Sequence, residues 1–201
     1  MKRLIDRCPI CGQKLKKFGL CPICKENLIL TPFYAYKIDG CSDVLVAFQY
    51  AGIGKDLIKK FKFEGDLYLV EIIGDLMIEK LLKSNQLKDF SNISYVPMTT
   101  KKENKRGFNQ AYELAKYIAC NLDLNLIDSF EKIKETKDQV GLNERQRKEN
   151  LKGAFKIKNY SKDIIIVDDV ITTGSTIGEL AKAAKEEKIK AMALLAATES
   201  N

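Results

Sequence analysis

Runs of apolar residues along the chain predict buried strands that alternate with helices. Residues 164–167 are a continuous apolar run of strand length, a pattern typical of a central parallel strand covered on both faces. Residues 191–196 predict another buried strand. Residues 93–96 predict a further strand, which ends at Pro97 because proline lacks a backbone donor and restricts the residue before it. Strands alternating with helices indicate an α/β fold with a mainly parallel sheet.

Between these runs, apolar residues recur at helical spacing, as expected for helices with one buried face. The helices predicted by this spacing lie near residues 57–61 and over residues 70–81, 108–122 and 177–184. Residues 32–36 predict the first arm of a hairpin that turns near Gly40 and returns along residues 44–48. Residues 101–107 and 135–152 are charged with little periodicity, so each is predicted to be a loop, and a loop as long as the second is usually functional or mobile.

The length of 201 residues suits one ordinary domain plus a small appendage. Residues 1–27 are basic and carry five of the net charges of the chain, which total +7. Such a lobe suits the phosphates of a nucleic acid or another polyanion, and it equally suits simple solubility. Charge therefore leaves both interpretations open.

The chain is expected to lie in the cytosol. Its first residues lack the apolar core of a signal peptide, and its apolar runs are too short to span a bilayer, so a partner protein would have to recruit it to the inner face of the membrane. The cytosol keeps thiols reduced, which argues against a disulfide framework for the six cysteines. Cys41 and Cys120 stand alone, and each is predicted to be a small buried apolar residue.

The other four cysteines form two Cys-Pro-Ile-Cys turns near the N-terminus. Cys8 and Cys11 bracket the first turn, and Cys21 and Cys24 bracket the second. Two such turns direct four thiolates at one ion, so they predict a structural zinc site in a knuckle formed by residues 1–27, with no open position for catalysis. Iron competes with zinc for four thiolates, and paired disulfides fit less well because neither pair is predicted to open a helix after a strand.

The most informative segment follows the apolar run at residues 164–167. Asp168 and Asp169 come at the end of that strand, where open α/β sheets place their ligands. Gly174 in the next turn permits close backbone approach, and the turn leads into a predicted helix whose first amides favour a phosphate. The hydroxyl-bearing residues of the turn are Thr172, Thr173, Ser175 and Thr176. The carboxylates can accept hydrogen bonds from sugar hydroxyls, and the amides and hydroxyls of the turn can donate to a phosphate, so the segment predicts a site for ribose 5-phosphate. The alternative is a surface turn with an acidic cluster.

Residues 168–176 resemble the loop of type I phosphoribosyltransferases that binds PRPP (5-phosphoribosyl 1-diphosphate). Three further blocks are similar to those of the ComF family of competence proteins, whose members likewise carry an N-terminal cysteine knuckle. The blocks are Tyr50-x-Gly52-x-x-Lys55 with Leu57, Ile58, Lys62 and Gly65; Val96-Pro97-Met98 with Lys105-Arg106-Gly107-Phe108-Asn109-Gln110; and Gln139-x-x-Leu142 with Arg147, Asn150 and Gly153-Ala154-Phe155. The four blocks follow the order of the family over residues 50–176.

The resemblance implies a type I phosphoribosyltransferase-like domain over residues 28–201, with residues 33–65 as a candidate hood. It implies that PRPP binds with magnesium, the two acids taking the ribose 2- and 3-hydroxyls and the turn taking the 5-phosphate. The PRPP-binding residues would be Asp168, Asp169, Val170, Thr172, Thr173, Gly174, Ser175 and Thr176, and the pyrophosphate side would include Thr99, Lys101 and Arg106. The family often has histidine and arginine at the positions of Thr99 and Lys101, and because the chain contains no histidine, a histidine base is excluded.

The resemblance also implies a role in DNA uptake for natural transformation. The protein would handle incoming single-stranded DNA in the cytosol together with other competence proteins, such as a helicase-like uptake factor. Two other functions fit the residues: a catalytic phosphoribosyltransferase acting on a base or amine, and a zinc-knuckle nucleic-acid module with a vestigial sugar site. The residues identify no general base and no acceptor, and they leave PRPP open as a substrate, a regulator or a stand-in for a DNA sugar-phosphate.

Overall fold

The computed structural model describes residues 6–32, 37–63, 67–134, 144–159, 161–186 and 190–198. The helices are α1 (Pro22–Glu26), α2 (Gly52–Phe63), α3 (Leu69–Lys83), α4 (Thr100–Arg106), α5 (Gln110–Leu122), α6 (Glu144–Leu151) and α7 (Ser175–Glu186), with a 3-10 turn at Leu87–Asp89. The strands are β1 (Cys41–Gln49), β2 (Asn92–Tyr95), β3 (Asn125–Leu126), β4 (Phe130–Lys132), β5 (Phe155–Ile157), β6 (Asp163–Ile171) and β7 (Lys190–Thr198).

A parallel sheet organises the described part of the chain. Its strands lie in the order β1-β7-β6-β2-β3, and every neighbouring pair in it is parallel. β4 and β5 form a separate antiparallel ribbon. The predicted α/β class with a mainly parallel sheet is confirmed, and β6 occupies the centre of the sheet.

The apolar run of β6 is buried because helices cover both of its faces. Ile165 and Val167 face a core that includes α2, α3 and α5. Ile164 and Ile166 face a second core that includes α7. Successive side chains of a strand point to opposite faces, so a strand between two helical layers requires a continuous apolar run. This packing fixes the end of β6, which carries the acid pair of the sequence.

The helices predicted from apolar spacing are present as α2, α3, α5 and α7. The predicted loop over residues 101–107 is wrong, because most of this segment forms α4, which ends at Gly107 in the left-handed conformation. Lysine, glutamate and arginine are good helix formers, and a short exposed helix needs no apolar stripe to mark it. The predicted loop over residues 135–152 is wrong where α6 lies, while residues 135–143 are outside the described residues.

Most of the first arm of the predicted hairpin, residues 33–36, also lies outside the described residues. β1 follows the turn near Gly40 as predicted, and its main partner is β7 in parallel register. An antiparallel contact reaches β1 from a point upstream of the predicted arm, where the amide of Gln49 donates to the carbonyl of Ile29 at 2.8 Å. β1 is therefore mainly a strand of the parallel sheet.

Cys41 is half-buried in β1, and the expectation that Cys120 is buried is wrong because Cys120 is exposed on α5. Ala115, Ile118 and Ala119 form the buried face of that helix, which leaves position 120 on the solvent side. Within the described ranges, no helix has both the length and the apolar character needed to cross a bilayer.

Candidate functional site

A cavity of about 420 Å³ opens at the carboxyl end of β6. The segment after β2 forms one wall, and the end of β6 with the following turn forms another. All the residues predicted for the phosphoribosyl ligand line it: Asp168, Asp169, Val170, Thr172, Thr173, Gly174, Ser175 and Thr176. The structure thus gathers acid and hydroxyl groups around one space at the edge where open α/β sheets hold ligands.

Asp168 and Asp169 form the acid pair of the cavity wall at the end of β6. Asp168 is half-buried and Asp169 is buried, and the amide of Asp169 donates to the Asp168 Oδ1 at 2.8 Å. Burial, followed by the neighbouring charge of Asp169, raises the pKa of Asp168 to about 7, while the charges of Lys62 and Arg106 oppose the rise. Near neutrality the Asp168 carboxyl is therefore divided between its acid and carboxylate forms.

Lys62, in the last turn of α2, forms an ion pair with Asp169, and its Nζ lies 3.0 Å from the Asp169 Oδ1. The lysine side chain is 18% exposed and the aspartate side chain 11% exposed, so water screens this pair less than it screens a surface pair. Lys62 belongs to the first block of residues similar to the ComF family, but nothing in the sequence marks it as a residue of this site. A lysine at the end of an amphipathic helix usually faces solvent, and only tertiary packing directs this one inward.

α2 approaches the end of β1 unusually closely. A Cβ added to Gly54 would lie 2.2 Å from the carbonyl oxygen of Gln49 and 2.7 Å from the ring of Phe48. Only glycine fits there without moving the helix. Gly54 therefore permits the placement of this helix against the sheet.

The turn after β6 has a shape that suits a phosphate. Gly174 adopts a left-handed φ of 71°, and α7 begins at the next residue, Ser175. The first helical amides have no partner within the helix, and with the helix dipole they favour an anion. The hydroxyl oxygens of Thr173 and Ser175 lie 2.8 Å apart, so both hydroxyls lie at the N-terminus of α7.

The residues predicted for the pyrophosphate side divide between two cavities. Thr99 and Arg106 line the cavity at β6. Lys101 lines a neighbouring cavity of about 650 Å³, to which Thr99 also contributes. The Nη1 of Arg106 donates to the Oε1 of Gln110 at 3.3 Å, and this places the guanidinium at the start of α5.

Asn109 joins the segment after β2 to α5, a role that was not predicted from the sequence. Its Nδ2 donates to the carbonyl of Val96 at 3.1 Å. Its Oδ1 accepts from the amides of Ala111 and Tyr112 at the helix start. Asparagine is a favoured N-cap residue, and an asparagine directly before the apolar pattern of α5 was the signal for this role.

The four cysteines predicted as metal ligands form a cluster at the N-terminal end of the chain. The Sγ atoms of Cys8, Cys11, Cys21 and Cys24 all lie within 4.8 Å of one another. A tetrahedral zinc ion with Zn–S bonds of about 2.3 Å holds its sulfurs about 3.8 Å apart, so this donor set fits a four-thiolate ion. The second pair opens a short helix, because Cys21 caps α1 and its side chain accepts from the amide of Cys24. Among the described residues no named strand precedes this helix.

No protein-family model matches the chain. The chain is 29% identical to Competence protein F of Haemophilus influenzae over 191 residues, which cover 87% of this chain and 82% of that protein. It is 26% identical to Competence protein ComFC of Streptococcus pneumoniae over 194 residues, which cover 91% of this chain and 83% of that protein. The match to the DNA utilization protein YhgH of Escherichia coli is 31% identical over 145 residues and covers 67% of this chain and 62% of that protein.

Among solved structures, the orotate phosphoribosyltransferase from Aeropyrum pernix matches over 67% of this chain and 74% of that chain, with a TM-score of 0.42 and 15% identity. The matches to the two competence proteins run over most of both chains, and they agree with the blocks of residues recognised in the sequence. The chain is therefore similar over most of its length to competence proteins, as the resemblance to the ComF family in the sequence indicated.

Proposed function

We propose that the chain binds a phosphoribosyl ligand at the carboxyl end of β6, with PRPP and magnesium as its expected form. One observation supports this proposal above the others, which is the arrangement of groups around a single cavity. Asp168 and Asp169 lie on the same cavity as the turn that opens α7. A carboxylate accepts from a sugar diol, while helix amides and hydroxyls donate to a phosphate.

Each part of the ligand has a proposed partner. The 2- and 3-hydroxyls of the ribose donate to Asp168 and Asp169. The 5-phosphate accepts from the amides and hydroxyls of residues 172–176, at the start of α7. The diphosphate lies toward Thr99 and Arg106, which line the same cavity. Magnesium, when bound, neutralises diphosphate charge through oxygen ligands.

We further propose that the protein acts in DNA uptake during natural transformation. Two of its relatives are named competence proteins, and a third is named a DNA utilization protein. In this role the protein handles incoming single-stranded DNA in the cytosol, with partners that include a helicase-like uptake factor. The basic knuckle at residues 1–27, which precedes the domain at residues 28–201, supplies charge complementary to a nucleic-acid backbone.

A catalytic phosphoribosyltransferase of nucleotide metabolism is the second candidate function. The neighbouring cavity of about 650 Å³ favours it, because this space meets the first cavity along Pro97, Met98 and Thr99 and offers room for an acceptor. Residues 33–65 stay the candidate hood over that acceptor. Pyrophosphate release in the presence of a base or amine is the outcome that would support this function.

Calorimetry of the purified full chain tests the binding proposal directly. PRPP with magnesium should give saturable binding, and ribose 5-phosphate should compete with it. Asp56→Asn, an exposed carboxylate on α2, is a matched control for substitutions of the acid pair. Absence of binding by both ligands, in protein whose fold is verified by circular dichroism, would refute the phosphoribosyl assignment.

A further inference from the structure

α2 connects the cysteine cluster to the acid pair. Ile53, in its first turn, packs against the cluster of Cys8, Cys21 and Cys24. Lys62, in its last turn, pairs with Asp169. Lys62 lies nine positions after Ile53, which corresponds to roughly 14 Å along a helix. One rigid element therefore touches both candidate sites.

The helix is held firmly between its ends. Leu57, Ile58 and Phe61 are fully buried in the core, and Gly54 leaves no free space where α2 meets β1. Close-packed interiors transmit displacements because they hold few voids that absorb them. A shift at Ile53 is thus expected to move Lys62 as well.

The knuckle also contacts the start of the next helix. The rings of Phe18 and Tyr68 meet edge to face with centroids 6.3 Å apart, and Tyr68 is the N-cap residue of α3. Ile10 and Leu20 pack against both the cysteine cluster and the main core. The knuckle therefore packs against α2 and against the start of α3. A metal ion that orders its four thiolates would order these contacts too.

We propose that Lys62 is a positioning residue for the acid pair of the phosphoribosyl site and that the metal-loaded knuckle holds it there through α2. This inference rests on the proposed function for its ligand, although the structural link itself does not require one. Lys62 occupies one side of the Asp169 carboxylate. A carboxylate has about four acceptor positions, so acceptor capacity remains for a ribose hydroxyl.

The positive charge of Lys62 favours the ionised form of the acid pair. Two adjacent carboxylates repel one another, and their joint ionisation is unfavourable in a half-buried site. Asp168 is faced by Asp169 on its own strand, by Lys62 from α2 and by Arg106 from α4. Removal of Lys62 leaves Arg106 as the cation of this set and should raise the pKa of Asp168, which reduces its carboxylate form at neutral pH.

The first test requires no ligand. Carbon-13 NMR of the aspartate carboxyls in the zinc-loaded full chain follows the titration of Asp168. Lys62→Met should move the Asp168 midpoint to higher pH, and Lys62→Arg should restore the parent value because it restores the charge. Lys59→Met, an exposed position on the same helix, is the matched control and should change nothing. The same midpoint in Lys62→Met and in the parent protein would overturn the proposal.

The second test concerns the knuckle. Removal of zinc with a chelator should move the Asp168 midpoint in the same direction as Lys62→Met. Ile53→Ala in metal-loaded protein should do so as well, and this variant keeps all four cysteines, so it separates the helix contact from the metal. In the Lys62→Met background neither treatment should move the midpoint further. No movement in the parent protein, or equal movement in both backgrounds, would overturn the coupling.

The third test adds the ligand. Lys62→Met should bind ribose 5-phosphate about tenfold more weakly than the parent chain, as expected when a charge-assisted contact in a partly buried site is lost. Lys62→Arg should recover most of that affinity, and equal affinity of Lys62→Met and the parent would contradict the proposal. If the parent chain binds neither ribose 5-phosphate nor PRPP, the proposed function fails, and the NMR midpoints still decide the role of Lys62.

Discussion

The hydroxyl oxygens of Thr173 and Ser175 lie 2.8 Å apart, on either side of Gly174. The bond joins the last part of the turn to the first residue of α7, so the two hydroxyls share one hydrogen and retain acceptor and donor capacity toward the cavity. The same pair of residues lines the cavity, to which the segment after β2 also contributes. In the proposed complex this pair lies against the 5-phosphate.

Thr173→Val should weaken the binding of ribose 5-phosphate by ~1–2 kcal/mol, because the substitution keeps the shape of the side chain but removes its hydroxyl. Thr173→Ser keeps the hydroxyl and should bind nearly as well as the parent chain. Calorimetry on the three proteins measures the difference. Equal affinities for the valine and serine variants would place the phosphate elsewhere.

Asp169→Asn should weaken diol recognition by ~1–3 kcal/mol, since the amide replaces a group that only accepts hydrogen bonds and also leaves the Lys62 ammonium without its carboxylate. A ligand without the 2-hydroxyl, 2-deoxyribose 5-phosphate, should show a smaller loss in the same variant. This comparison of two ligands distinguishes diol recognition from a general disturbance of the site. Identical losses for both ligands would remove the diol assignment.

Binding should also depend on pH through Asp168. Its pKa is raised to about 7, first by burial and then by the charge of Asp169. The carboxylate form, which accepts the diol, therefore increases as pH rises, and affinity should rise about tenfold between about pH 6 and pH 8 if only that form binds. Asp168→Asn should abolish this step and leave only the titration of the ligand phosphate, near pH 6.

The same raised pKa has a consequence for stability. Between about pH 4 and pH 7 the folded protein retains the Asp168 proton while the unfolded chain releases it. The free energy of unfolding should therefore fall as pH rises through this window, and the fall should be smaller in Asp168→Asn. Urea denaturation at several pH values measures both proteins.

The residues around β6 were predictable because their signal is local. A continuous apolar run, two acids and a glycine-containing turn follow one another in sequence, and the structure places Asp168, Gly174 and Ser175 on one cavity. Lys62 was not predictable as a partner of Asp169, because the two residues are distant in sequence and meet only through the packing of α2. The ribbon of β4 and β5 was missed since strands of three residues are too short to establish an alternating pattern.

The helix α4, over residues 100–106, was not predicted although its sequence signals are local. Its charged sequence resembles that of a loop, because an exposed helix has little apolar periodicity. The capping signal was present, since Gly107 adopts the left-handed conformation at the end of α4. Charge and capping together, rather than periodicity, mark such a helix.

The purified protein should carry about one zinc per chain, held by Cys8, Cys11, Cys21 and Cys24. Cys8→Ser with Cys11→Ser should abolish metal binding, as measured by elemental analysis, while residues 33–201 keep their fold by circular dichroism. The melting temperature should fall by a few degrees, because the contact of Ile53 with the cluster weakens. Cys120→Ser, at an exposed position, is the matched control. Metal-free protein with all four thiols oxidised after reducing purification would contradict the zinc site.

In a source organism that takes up DNA, loss of this protein should reduce transformation while the binding of DNA at the cell surface stays intact. The reason is that in the proposed role the protein acts only on DNA that has already emerged from the membrane into the cytosol. Asp168→Asn with Asp169→Asn should also lower transformation without unfolding the chain, since both acids line the cavity at the end of β6. Single-stranded DNA binding by the purified chain should fall steeply with salt, as phosphate contacts require. Normal transformation together with a purine or pyrimidine requirement in the deletion strain would instead favour a nucleotide-salvage enzyme.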